Sequence, residues 1–318
     1  MNKLNIVSLF SGAGGLDLGL KLAGHNIIWA NDLYEDAVKT YKFNIGEHVV
    51  LRDISLIPSN EIPNCDVVVG GFPCQGFSVA NMTRKTNDPR NKLYLEMVRV
   101  IRDKKPKYFI AENVKGILSL DKGGVIRKVV SDFEELGYTV DYKLVNCADY
   151  GVPQTRMRVI IFGVRKDITT NVIFPPPTTH SKDGDKLPHW ITVGQALAHY
   201  PEPSEELNVM NHVCSSYKLR FNGHLGHRVI DPNKPAPTVT GRGDEKGGVV
   251  VLHHPNNTRR MTVRETAAVQ SFPDDFFFVG SKTSGYRQIA NAVPPKLGFA
   301  LGVMLNQAEK IQPLPTKK

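Results

Sequence analysis

Three consecutive valines, Val67-Val68-Val69, run directly into Gly70-Gly71-Phe72-Pro73-Cys74-Gln75-Gly76-Phe77-Ser78, and this junction constrains the chain more than any other stretch. The apolar run predicts a buried strand of a parallel sheet. The paired glycines allow a sharp turn and close approach to the backbone. Pro73 stiffens that turn by fixing its own φ. Cys74 is thereby expected at the tip of the turn, where its thiol faces a cleft. A free cysteine is either a small buried hydrophobe or a nucleophile, and the residues that follow favour the second. Gln75 to Lys92 has few large apolar residues and carries Arg84, Lys85, Arg90 and Lys92, so a long exposed loop is expected. Loops of that length often serve as lids. A cysteine at the base of a basic lid points to a large anionic substrate.

Whole-chain properties agree. With 318 residues the chain can hold one large domain and a smaller one. A formal net charge of +9 and a pI near 9.3 favour a polyanionic partner, nucleic acid above all. The four cysteines, Cys65, Cys74, Cys147 and Cys214, form no CxxC pair, so no metal is expected and a reducing cytosol fits. There is no eighteen-residue apolar run and no signal-peptide pattern at the start. The expectation is therefore a soluble, cytoplasmic chain with no membrane partner.

From the start, Asn5 to Phe10 predicts a strand, Ser11-Gly12-Ala13-Gly14-Gly15 a glycine turn, and Leu16, Leu20 and Ala23 one face of a helix. His25 to Ala30 is a second strand, closed by Asn31-Asp32. Strand, glycine turn, helix, strand and acid outline a nucleotide-binding unit, with Asp32 placed to accept from ribose hydroxyls. The dinucleotide fingerprint would need glycine at position 17, which is Asp17. A pyrophosphate at the helix start would meet that carboxylate. The turn suits a phosphate-free adenosyl ligand such as S-adenosylmethionine, whose cationic groups tolerate an acid. Asp53, after the short strand Val49-Val50-Leu51, is either a turn aspartate or an acceptor for an adenine amino group.

Further on, Leu93 to Ile101 predicts a helix and Tyr108 to Ala111 a strand ending in Glu112-Asn113. Ligands of open parallel sheets lie beyond the carboxyl ends of strands, so Cys74 and Glu112 are expected to converge. Asn113 reads as the cap of a helix starting at Val114. Val125 to Leu136 is an amphipathic helix; Val140 to Val145 and Val159 to Gly163 are strands. Between these strands, Arg156 and Arg158 fall on one side of an extended chain, suiting a phosphate or a carbonyl oxygen. The proline-rich stretch from Phe174 to Pro203, interrupted by helical Val193 to Tyr200, marks a boundary. Residues 204–280 read as a small, irregular, mostly β module containing a short helix, Val263 to Gln270. The apolar closing helix, to about Leu305, is expected to return to the first sheet.

Six pieces, in order, resemble the cytosine-C5 DNA methyltransferases over nearly the whole chain. They are Phe10-Ser11-Gly12-Ala13-Gly14-Gly15, Gly71-Phe72-Pro73-Cys74-Gln75, Glu112-Asn113-Val114, Gln154-Thr155-Arg156-Met157-Arg158, Arg260-Met261-Thr262-Val263-Arg264-Glu265, and Gln288 to Pro295. The resemblance implies an α/β fold: a Rossmann-like methyltransferase sheet in 1–203, completed by 281–318, with a target-recognition domain in 204–280. It implies that Cys74 attacks C6 of an extruded cytosine, that Glu112 holds and protonates the ring, and that Arg158 with Arg156 orients the base. The cofactor S-adenosyl-L-methionine, leaving as S-adenosyl-L-homocysteine, would be held by Phe10, Gly12, Gly14, Gly15, Leu16, Asp32, Leu33, Asp53, Ile54, Pro73, Asn291 and Val293. Gln75, Ser78, Arg90, Arg228, Thr238 and Arg242 would contact DNA.

Asp32 stands where glutamate is usual, Leu33 where an aromatic is frequent, and Asn91 and Ala290 where glycine is usual. None of these removes a catalytic group. The function implied is methylation of one cytosine within a short double-stranded DNA sequence, with a cognate restriction endonuclease as functional partner, by a nucleoid-associated monomer. The rival readings are a tRNA cytosine-C5 methyltransferase, a catalytically silent DNA-binding relative and an NAD-dependent oxidoreductase.

Overall fold

In a computed structural model of the chain, the described residues are 3–72, 89–204, 209–213, 219–224, 226–241 and 250–309, without the side chains of 89–92. The strands are β1 (Asn5–Leu9), β2 (Asn26–Asp32), β3 (Val49–Leu51), β4 (Val67–Gly70), β5 (Tyr108–Val114), β6 (Tyr138–Asn146) and β7 (Met157–Arg165). The helices are α1 (Gly15–Leu22), α2 (Glu35–Asn44), α3 (Pro89–Lys104), α4 (Gly124–Glu135), α5 (Val193–Leu197), α6 (Val263–Val269), α7 (Lys282–Asn291) and α8 (Pro295–Ala308).

The seven strands form one sheet in the order β3-β2-β1-β4-β5-β7-β6. β1 to β5 run parallel, and β7 is antiparallel to both β5 and β6. Chain order reverses direction across the sheet between β1 and β4, which opens a crevice at their carboxyl ends. Side-chain alternation divides the core in two. Ile6, Val67, Val69 and Ile110 face α1, α2 and α8, whereas Val7, Leu9, Val68 and Phe109 face α3 and α4. The three valines of β4 are all fully buried, as a central parallel strand requires.

The closing helix does return to the sheet: Leu297, Leu301, Met304 and Leu305 share a core with Leu16 and Leu20. α1 and α8 cross closely enough that a Cβ on Gly19 would lie 2.2 Å from the carbonyl oxygen of Pro295 and 2.4 Å from the nitrogen of Phe299. Both are backbone atoms, so the helices would have to separate. Gly19→Ala is expected to destabilise the fold by about 1–3 kcal/mol, seen as a lower urea midpoint at unchanged m-value.

Residues 204–280 are irregular, as expected, but their β content is slight. Among the described residues they hold α6 and only isolated bridges, Gln154 to Ala236 and His253 to Arg260. Ile230, Val239, Leu252, Met261 and Phe278 pack into the same core as α1 and α8. The order of Thr262 to Glu265 has a structural reason. Thr262 and Glu265 form a reciprocal capping box that starts α6, and the buried Glu265 is gripped by Arg259 through two 2.8 Å bonds. No helix among the described residues is long and apolar enough to cross a membrane.

Candidate active site

The glycine turn after β1 and the acid after β2 are built as one unit. Phe10 takes a positive φ of 54°, a strained conformation for a non-glycine residue of the kind that concentrates at binding sites. Asp32 then pins the turn: its Oδ2 accepts from the Gly12 nitrogen and its Oδ1 from the Tyr34 nitrogen, each at 2.8 Å. Burial raises the Asp32 pKa, against those backbone bonds. With the Leu33 nitrogen as a third backbone partner, the carboxylate still keeps acceptor capacity for a ligand hydroxyl. Asp53 is a turn aspartate that also stands on the cleft wall. Its Oδ1 caps the turn at Ile54–Leu56 by accepting from the Ser55 nitrogen at 2.9 Å, while the residue also lines the cleft.

The other half of the site follows from strand register. Val114 pairs with Arg158 and Glu112 with Ile160 across β5 and β7. Glu112 and Arg158 are therefore diagonal neighbours on one face, within reach of long side chains. Arg158 Nε lies 2.7 Å from Glu112 Oε1. The Nε hydrogen is not aimed along that contact, so the pair is held by charge more than by a linear hydrogen bond. Gly71 leaves room for the carboxylate: a Cβ there would stand 3.1 Å from Glu112 Oε2. Asn113 is not a helix cap. Its Nδ2 donates to the Phe72 carbonyl at 3.1 Å, tying the last described residue before the Pro73-Cys74 step to β5.

One cleft of about 640 Å³ joins the two halves. Phe10, Gly12, Leu16, Asp32, Leu33, Asp53, Ile54, Asn291 and Val293 line it together with Gly71, Phe72, Glu112, Arg156 and Arg158. β2 and β5 are three strand spacings apart, about 14 Å, enough for an extended adenosyl ligand to run between Asp32 and Glu112. Pro73, Cys74, Gln75, Ser78 and Arg242 lie outside the described residues, as does the side chain of Arg90.

Three expectations need correction. Gly14 and Gly15 do not line the cleft. They lie behind it, where a Cβ would meet Tyr41 and Ile45 in the first case and the Val293 carbonyl, at 2.3 Å, in the second. Asp17 does not present a carboxylate at an open helix start; it is fully buried and hydrogen-bonded to Ser8 and Tyr41. The two arginines do not aim together at one group. The Arg156 guanidinium donates to the carbonyls of Val239, Ala290 and Ala292 at 2.8–3.1 Å, and so joins β7 to the irregular segment and to the end of α7.

Burial pushes Arg156 down to about 9, with the Arg158 charge adding to the effect, so it stays charged at neutral pH. Arg156→Met would leave the Val239 and Ala290 carbonyls without this donor; Ala292 keeps Gln270. A loss of about 3 kcal/mol is expected, measurable by chemical denaturation.

Outside the cleft, Thr238 donates its hydroxyl to the Thr155 carbonyl at 2.6 Å, and Arg228 Nε donates to the Gly223 carbonyl at 2.7 Å with the side chain exposed.

Reasoning from sequence missed two cleft residues. Asn31 Oδ1 and Gln288 Oε1 are buried acceptors without a hydrogen-bond partner, and both residues line the cleft. A ligand donor reaching either atom would satisfy an otherwise unpaired buried acceptor.

The model of the C-5 cytosine-specific DNA methylases matches residues 4–307. The type II methyltransferase M.NgoFVII of Neisseria gonorrhoeae is 39% identical, over 93% of this chain and 84% of its own. M.FnuDI of Fusobacterium nucleatum is 37% identical over 96% and 94%. Among solved structures, a prophage-encoded DNA modification methyltransferase of E. coli has a TM-score of 0.74 at 26% identity, covering 96% of this chain and 99% of that one. Dnmt2 of S. pombe shares the fold, with a TM-score of 0.67 at 20% identity over 96% and 99%. Sequence, sheet order and cleft thus agree: the chain belongs to the C-5 cytosine-specific DNA methylases, S-adenosylmethionine-dependent enzymes that methylate cytosine C5 in DNA.

Proposed function

We propose that this chain is a type II modification methyltransferase that flips one cytosine out of a short duplex sequence and methylates it through a Cys74 adduct. The observation that carries the reading is the single cleft in which the Glu112–Arg158 pair and the Asp32-pinned glycine turn meet. Cys74 follows Phe72 by two residues, a tether of at most about 7 Å, and Phe72 is anchored beside Glu112 by Asn113. S-adenosylmethionine, held by Asp32, Asp53, Asn31 and the turn at Gly12, supplies an electrophilic methyl group.

The chain's own groups do the rest. The Cys74 thiol gives up its proton and bonds to C6 as thiolate, and the Glu112 carboxylate relays a proton to N3 as electron density moves to C5. Arg158 holds the Glu112 carboxylate and the base near its O2. After methylation a base, for which a water is suitable, removes the C5 proton and the thiolate leaves. C6 is inaccessible in a stacked duplex, so the base must swing out at a cost of a few kcal/mol. Arg90, Arg228, Thr238 and Arg242, with Gln75 and Ser78, would hold the DNA, and the +9 net charge supports that partner. A cognate endonuclease would be the functional counterpart, and one protomer suffices for the site.

Bisulfite sequencing of a plasmid from expressing cells should show one modified cytosine in a fixed short sequence. A duplex carrying 5-fluorocytosine there should become covalently trapped when donor is present. Methyl incorporation into tRNA but not DNA, or no trapping, would refute the proposal.

A further inference from the structure

The carboxylate of Asp17 is fully buried in the first turn of α1, yet the residue lines the floor of the cleft with Ser8, Gly12 and Leu16. Its Oδ1 accepts from the Ser8 hydroxyl at 2.7 Å and its Oδ2 from the Tyr41 hydroxyl at 2.8 Å. Tyr41 in turn lies 3.1 Å from His48 Nε2 and packs against Gly14, where a Cβ would come within 2.8 Å of its ring. The network is thus keyed to the glycine turn. No lysine, arginine or histidine among the described residues forms an ion pair with Asp17. A buried carboxylate is costly to ionise; the two hydroxyls and the first-turn position on α1 offset part of that cost, and a positive charge entering the cleft would offset more.

We propose that Asp17, held as a buried anion beneath the glycine turn by Ser8 and Tyr41, makes the cleft prefer the cationic sulfonium donor over its neutral thioether product. This rests on the reading of the cleft as the S-adenosylmethionine site. Donor and product differ by one methyl group and one positive charge on sulfur; their adenosyl and amino-acid parts are the same. Groups that grip those shared parts, such as Asp32 and Asp53, serve both molecules. A fixed negative charge in a low-dielectric floor acts on the difference, and so helps the spent cofactor to leave.

The groups facing Asp17 are the Ser8 hydroxyl from β1 and the Tyr41 phenol from α2; beyond Tyr41 stand His48 and, near it, Lys21 of α1. Burial lifts the Asp17 pKa to about 6, against the two hydroxyl bonds, so the group is ionised at pH 7.5 and is neutralised as pH falls through about 6. Preference for the donor should fall with it.

The test is isothermal titration of the full-length protein with S-adenosylmethionine and, separately, with S-adenosylhomocysteine, between pH 5.5 and 8. At pH 7.5, Asp17→Asn should reduce the ratio of donor to product affinity about five- to tenfold, through weaker donor binding. The wild-type ratio should drop as pH is lowered through about 6, and the Asp17→Asn ratio should stay flat. Tyr41→Phe removes one hydrogen bond to the carboxylate, so its transition should move to higher pH, which keeps the test open should Asp17→Asn not fold. Equal weakening of both ligands, an unchanged ratio, or a pH dependence that survives in Asp17→Asn and so belongs to Asp32 would overturn the proposal. A wild-type protein that binds neither ligand would overturn the cofactor reading and this proposal together; binding of both with an unchanged ratio would overturn this proposal alone.

Discussion

Cys74→Ser is expected to abolish DNA methylation, by at least about 10³-fold, while the protein folds and binds donor as before. The change replaces one sulfur by oxygen at a position that follows the anchored Phe72. A cysteine with an ordinary pKa is a few per cent thiolate at neutral pH and is intrinsically very nucleophilic. A serine hydroxyl has no comparable ionised fraction and needs a neighbouring base. The carboxylate on the Cys74 side of the cleft, Glu112, is already paired with Arg158. Bisulfite sequencing measures transfer, and 5-fluorocytosine trapping measures the covalent bond. Substantial methylation by Cys74→Ser would mean that another group attacks the base.

Much of this architecture is legible because local chemistry and tertiary demand coincide. Val67-Val68-Val69 can only be a strand covered on both faces, and it is. The apolar pattern of α8 has no place in a polar surface module, and it packs on α1. Asp32 stands at the distance from Gly12 that one βαβ turn imposes, and the two residues bond to each other. Glu112 ends up beside Arg158 because alternation puts both on one face, although only the register of β5 and β7 makes them diagonal neighbours.

What stayed hidden depends on partners far apart in the chain. Arg156 and Arg158 have the same spacing as any two residues on one strand face. Nothing local says that Arg156 will meet carbonyls at positions 239, 290 and 292, while Arg158 meets a carboxylate. Asp17 looked like a charge at an exposed helix start because its two hydroxyl partners, Ser8 and Tyr41, come from β1 and α2. The segment 204–280 lacks periodicity since it is held by caps, arginine–carbonyl bonds and packing on the main core, none of which repeats along the chain.

Glu112→Gln is expected to preserve the fold and donor binding and to slow methyl transfer about 10²- to 10⁴-fold, the range for loss of a positioned acid. Glutamine matches the shape of the side chain, and Gly71 already leaves room for either. The charge pairing with Arg158 weakens, and because both side chains are about nine-tenths covered the loss of stability should be about 1–3 kcal/mol, tempered by the hydrogen-bonding amide that replaces the carboxylate. What disappears is the proton source. Without a proton delivered at N3, thiolate addition to C6 must generate an unprotected anion on the ring. Single-turnover kinetics should therefore show slow adduct formation with 5-fluorocytosine DNA in Glu112→Gln, where Cys74→Ser shows none. A normal adduct rate with slow release would move the role of Glu112 to a later step. A rate equal to the parent's would remove it from the chemistry and leave the Glu112–Arg158 pair as a brace between β5 and β7.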